Sequence, residues 1–217
     1  MKTTDLAKIP VLALAAAAAF LAVADARPPA PQPVRPAVPP ATAARVGTNI
    51  LSVAEAKLRA KTLLDDEIEF NHLSFAPENR AAAEAHYYKE AVERWITSRI
   101  LSDEARRLGM GASKGEMNLQ LVKMDKTLRA KRRTTLKEFA AKCPFGSETL
   151  MKDVENAVLA EKLLKREVAD KIPVPDAAGA SAGDAAKKAA AVRRAKFPAA
   201  FKAYYKTLEA RADVERF

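Results

Sequence analysis

From Leu51 to Val168 apolar residues recur at three- and four-residue steps, the spacing that gathers them on one side of an α-helix. Ser52 followed by Glu55 is a capping-box pair and opens a helix predicted to reach about Glu69. The segment NHLSFAPEN interrupts it, and Pro77 suits the first turn of the next helix, where no backbone N–H is needed. That helix is predicted to run to about Leu108, roughly 50 Å at 1.5 Å per residue. Tyr88, Val92, Trp95, Ile96, Ile100, Leu101, Ala105 and Leu108 form its apolar stripe.

Gly109 can supply a left-handed cap, and Ser113 with Glu116 opens another helix through a second capping box. Met117, Leu121, Met124 and Leu128 share one face of it, and it ends in the basic run KRR at 131–133. Thr135 with Glu138 is a third box, opening a short helix stopped at Cys143-Pro144. Ser147 is the predicted cap of a further long helix to about Lys171, with Leu150, Val154, Val158, Leu163 and Val168 inward, and Pro173 and Pro175 stop it. A last helix carries Phe197, Phe201, Tyr204, Leu208 and Ala212 on one face, and the tail DVERF alternates like a short strand. No β-branched run is long enough for a substantial sheet. The expected fold is therefore all-α: an irregular helical domain with a long helix pair, a returning C-terminal helix and at most a minimal terminal β pairing.

The ends read differently. Lys2 and Lys8 precede an apolar run of 14 residues, Val11 to Ala24, and Ala24-Asp25-Ala26 has the small-x-small form of a signal peptidase site. The run is short of the ~20 residues that span a bilayer. Residues 1–26 are expected to be a cleaved secretory signal leaving Arg27 as the mature N-terminus; the alternative is a retained N-terminal anchor. Residues 27–42 hold seven prolines, a composition for a polyproline II spacer with no core to build. Residues 176–196 are rich in Ala, Gly and Ser and basic, a linker able to turn helical toward its end. The expected organisation is a signal at 1–26, a Pro-rich linker at 27–45, a helical domain at 46–176, a linker at 177–196 and a returning helix and strand at 197–217.

Lys and Arg number 37 against 27 Asp and Glu, giving +10. That balance favours anionic partners such as lipid headgroups, nucleic acid or acidic proteins, and an exported location makes nucleic acid an unexpected one. Cys143 is the only cysteine, so no intramolecular disulfide can form. Its neighbours Phe139 and Phe145 favour burial over pairing between chains. The seven glycines include no GxGxxG or GxxxxGK[ST], and His72 and His86 stand fourteen apart outside any HExxH or Cys/His cluster. Carboxylates accompany Lys and Arg at helix spacing, as on solvated faces. No catalytic residue, metal or cofactor is expected.

The stretch SDEARRLGM followed by GASKGE resembles the helix–turn–helix of the SurA-type N-terminal chaperone domain, found in SurA, PpiD and PrsA-like exported proteins, where "(Q/D)EAxRLGI" precedes "xxSDxE". LKEFAAKCPFGSETLMKDVENAVLAEKLLKREVADKIPVPD is similar to that family's short helix, turn and long helix, closing on "LLxREVxxKIxVxD". VGTNILSVAEAKLRA looks like its "VNGxxITxxEVExR" start, with the preceding paired strand degraded into Pro-rich sequence, and FKAYYKTLEARADVERF like its returning helix and strand. The likeness covers about residues 46–176 and 197–217. Many relatives carry a parvulin-type prolyl isomerase domain between the long helix and the returning one; here only about 20 low-complexity residues stand there.

The resemblance implies an exported, ATP-independent holdase that binds unfolded or extended segments of envelope or secreted proteins, without isomerase activity. A binder of varied clients wants flexible apolar side chains. Tyr87, Tyr88, Trp95, Met110, Met117, Leu121, Met124 and Met151 are the candidate peptide-binding residues, although Met and aromatics at helical spacing are more often core. The alternative is a structural envelope module docking on anionic lipid or a partner complex through KTLRAKRR (126–133) and KKAAAVRRAK (187–196), runs that usually form solvated faces. Nothing in the sequence sets the oligomeric state.

Overall fold

The chain's structure, a computed structural model, describes residues 41–70, 74–143, 145–174 and 182–217. The expected signal at 1–26, residues 27–40 of the spacer, and His72 lie outside the described residues. The elements in order are β1 (Thr42–Val46), β2 (Asn49–Ser52), α1 (Val53–Phe70), α2 (Pro77–Arg107), α3 (Lys114–Arg132), α4 (Leu136–Lys142), α5 (Gly146–Leu164), a π-helical turn (Lys165–Ala169), α6 (Ala182–Glu209) and β3 (Val214–Arg216). Among the described residues the fold is all-α with one small antiparallel sheet, ordered β2-β1-β3.

The helix punctuation follows local hydrogen bonding. At Ser113 and at Thr135 both halves of the capping box are made, each side chain accepting from the N–H three residues on while the glutamate accepts from the cap's own N–H. Ser52 Oγ accepts from Glu55 N at 3.1 Å, but the Glu55 carboxylate turns instead to Arg59 at 2.9 Å. After α2, Gly109 takes φ +72°. Its N–H reaches Arg106 O and that of Met110 reaches Ala105 O, the paired bonds of a Schellman ending. Ser147 is not the cap of α5. That helix begins one residue earlier, behind Phe145, with Gly146 at φ +80° and no side-chain capping bond.

The sheet is where structure and sequence part most. Residues 42–45, assigned above to the linker, belong to β1, the central strand, and Ala43, Ala44, Arg45 and Val46 are buried. The stretch TAARV, on the edge of the Pro-rich sequence, is therefore a strand. A two-residue turn with Gly47 at φ +57° returns it as β2, pairing Val46 with Asn49 and Ala44 with Leu51. On its other edge β1 receives β3, with Ala44 opposite Arg216, Arg45 opposite Glu215 and Val46 opposite Val214. The C-terminal strand thus lies against β1 and not β2. Arg45 fixes the join: its guanidinium meets Glu215 at 2.7 Å and Asp213 at 3.3 Å and donates to Gly47 O at 3.1 Å.

The core is built by α1, α2 and α5 with α6 closing it. Ile96, Leu101, Leu159, Leu163 and Leu51 are fully enclosed. Arg59 on α1 pairs with Asp153 on α5 at 2.8 Å and lies over the Phe145 ring at 4.8 Å. Arg106 on α2 donates to Asn156 at 2.9 Å and to Glu155 at 3.2 Å on α5. The expected linker at 177–196 is helical from Ala182: α6 runs unbroken through Pro198, sustained by alanines. Of its stripe, Phe201 and Leu208 are buried and Phe197 and Tyr204 half-buried, while Ala212, expected on the same face, lies past the helix end at Glu209. Thr97 Oγ1 donates to Tyr205 Oη at 3.3 Å, fastening α6 to α2.

Candidate functional site

The short helix α4 buries no residue completely, and its placement opens a groove. Asp125 Oδ1, on α3, accepts from Leu136 N at 2.7 Å and so ties the first turn of α4 to α3. The chain then turns at Cys143, which is half-buried, into α5. Between the three helices lies an open groove of about 490 Å³. Leu121 and Val122 line it from α3, Leu136 and Ala140 from α4, and Leu150 and Met151 from α5, with Asp125, Lys137 and Ser147 as its polar members. Val122 is 64% exposed and Met151 41%, large apolar side chains that the fold leaves uncovered.

Two of the candidate residues meet here, Leu121 and Met151. Met117 and Met124 share the α3 face with Leu121 but are half-buried and do not line the groove. Met110 belongs to a separate recess of about 370 Å³ whose other members, Glu116, Lys162, Lys165, Arg166 and Asp170, are charged. Tyr87 and Tyr88 sit half-buried on α2 and line neither recess. Trp95 is not a surface residue. It is 5% exposed, a core side chain with the Arg99 guanidinium 5.4 Å from its ring centre. Periodicity places Trp95 on the inner stripe of α2 but carries no information on whether that stripe meets protein or solvent.

Sequence reading missed Val122, Leu136, Ala140 and Leu150 as one surface. A signal was present on α3: Leu119 and Val122 fall outside the stripe of Met117, Leu121, Met124 and Leu128, and both are exposed. Among the described residues no cluster of His, Cys, Asp and Glu could hold a metal ion, and no helix is long and apolar enough to cross a membrane.

Three carboxylates of α3 and α4 are held low by their local partners. Glu116 is held down to about 2, first by Lys162, whose ammonium lies 2.8 Å away, and then by the N–H and hydroxyl of Ser113. The Leu136 N–H, followed by Arg129, holds Asp125 below the ordinary carboxylate range, and the Thr135 N–H does the same for Glu138. Lys162 also donates to Gly111 O at 2.7 Å, so Glu116 joins the α2–α3 turn to α5. A carboxylate held low in the folded state stabilises above its unfolded value and loses that contribution as pH falls toward its folded one. The stability difference between the wild type and Glu116→Gln should be full at neutral pH and fade between pH of about 4.5 and about 2. Thermal melts of both proteins across that range check it; a difference that persists below pH of about 2 would contradict the assignment.

No protein-family model matches the chain, and a search of curated proteins finds none similar to it.

Proposed function

We propose that the protein is an exported, ATP-independent holdase whose α3–α4–α5 groove binds unfolded or extended apolar segments of envelope or secreted proteins. In this reading it is a chaperone module alone, with neither enzymatic nor prolyl isomerase activity, placed in the periplasm or outside the cell by residues 1–26. One observation carries it: an open groove with an apolar floor, in which Val122 and Met151 remain exposed after the domain has closed its own core. Methionine and leucine there can repack around varied side chains, which a binder of many clients needs. The return of β3 onto β1 is the closure that the likeness to SurA-type domains implies, and it supports the reading.

Light scattering tests this. At stoichiometric amounts and without nucleotide, the chain should suppress aggregation of a chemically unfolded outer-envelope protein diluted into buffer. Aggregation unchanged at several-fold excess would count against the holdase reading.

A second reading has an observation of its own. Lys187, Lys188, Arg193, Arg194 and Lys196 are all exposed on α6, and only Lys187 has an ion-pair partner among the described residues, Asp184 at 3.9 Å. Such a basic helix segment, with its cations spread around the helix, suits a structural module adsorbed on anionic lipid. Co-sedimentation with anionic vesicles that weakens steeply with salt would favour it.

A further inference from the structure

The groove's charge surroundings define which apolar segments it takes. Residues 114–142, covering α3 and α4, hold nine Lys and Arg but three Asp and Glu. All three carboxylates are engaged in local structure. Glu116 completes the Ser113 capping box and meets Lys162. Asp125 holds the Leu136 N–H and Arg129, and Glu138 completes the Thr135 box. The acids of this segment are thus spent on local structure, while Lys123 and Arg132 pair with Glu161 on α5 and Asp66 on α1. Lys126, Lys137 and Lys142 are exposed and have no carboxylate within ion-pair distance among the described residues.

Lys126 and Lys137 adjoin the apolar floor. Lys137 lines the groove itself. On α3, Val122, Asp125, Lys126 and Arg129 follow at i, i+3, i+4 and i+7 and share one helix face, so the groove wall continues into a basic rim. A second copy of this chain would bring the same positive rim, and +10 of net charge, against it. An apolar floor with a cationic rim is complementary instead to an apolar segment flanked by Asp and Glu.

We infer that the groove selects apolar peptide segments with acidic flanks, Lys126 and Lys137 reading the flanks while Leu121, Val122 and Met151 hold the centre. The inference rests on the holdase reading of this groove and names the client chemistry it prefers. Association should be steered by the rim and be salt-dependent, in contrast to capture by the apolar floor alone.

The test uses the full chain and three fluorescent peptides sharing a leucine-rich centre, with flanks of glutamate, glutamine or lysine. Fluorescence anisotropy should give the glutamate peptide about tenfold tighter binding than the glutamine peptide at ~0.01 M salt, and the lysine peptide the weakest. The ratio should shrink toward one near ~0.15 M salt, where the screening length falls from about 30 to about 8 Å. In the Lys126→Gln/Lys137→Gln variant the glutamate-to-glutamine ratio should fall at low salt. Equal binding of the three peptides by the wild type overturns the inference and leaves the holdase reading standing. Failure of all three to bind overturns both. Displacement of the glutamate peptide by vesicles of anionic phospholipid, with no such displacement by neutral vesicles, would assign the rim to lipid and overturn the inference too.

Discussion

Truncation after Lys196 should leave a chain that no longer unfolds cooperatively. The deletion takes away Phe201 and Leu208, both buried, and full burial of such side chains contributes roughly 1.5–3 kcal/mol each. It also removes β3, one of the two partners of the central strand, exposing the hydrogen-bonding edge of β1. Arg45, 3% exposed, loses Asp213 and Glu215 together, and a buried cation without its counter-charges is destabilising. Arg216 bridges Glu93 on α2 at 2.7 Å, so the same cut removes the tie between the sheet and α2. Domains are stable by only about 5–15 kcal/mol, and these losses approach that range. Urea titration followed by circular dichroism should show a broad, sloping transition in place of a sigmoid. A truncated protein with an unchanged midpoint and slope would make the returning helix an appendage.

Trp95→Ala should remove a large part of the domain's stability in a single substitution. Removing a buried tryptophan leaves a cavity and costs about 3–5 kcal/mol, a fall in melting temperature on the order of 10 °C for a domain of this size. The placement carries a second consequence. Because Trp95 is in the core, a groove-bound peptide should leave its emission maximum where it is, blue-shifted by apolar surroundings. A large peptide-induced shift of that emission would mean that binding opens the core, in conflict with a preformed surface groove.

Much of the helical plan was legible because it rests on interactions between residues three or four apart. Ser113 with Glu116 and Thr135 with Glu138 complete their boxes from local geometry alone, so the pattern in the sequence is nearly the structure itself. Strand β1 was hidden for the opposite reason. Its alanines have little intrinsic preference for a strand, and TAARV becomes one only because β2 and the distant β3 pair with it and small side chains fit a buried position. The extent of α6 was masked by the Ala/Gly/Ser-rich composition of 176–196, which reads as a linker although the helix runs from Ala182 through Pro198. Leu121 and Met151, named from composition and spacing, both line the groove. Trp95 was misplaced because helical periodicity marks an inward face without saying what meets it. The groove depends on how α4 sits between α3 and α5, a tertiary relation fixed in part by Asp125 accepting the Leu136 N–H across eleven residues.

The most direct test of the proposed activity joins function to this groove. Val122 and Met151 are both exposed, so the Val122→Asp/Met151→Asp variant removes the apolar floor's uncovered edges without opening the core. Its melting temperature should stay within a few degrees of the wild type. Its suppression of client aggregation, measured by light scattering at stoichiometric amounts without nucleotide, should be largely lost. A stable variant that suppresses aggregation as well as the wild type would contradict the claim that this groove is the binding site.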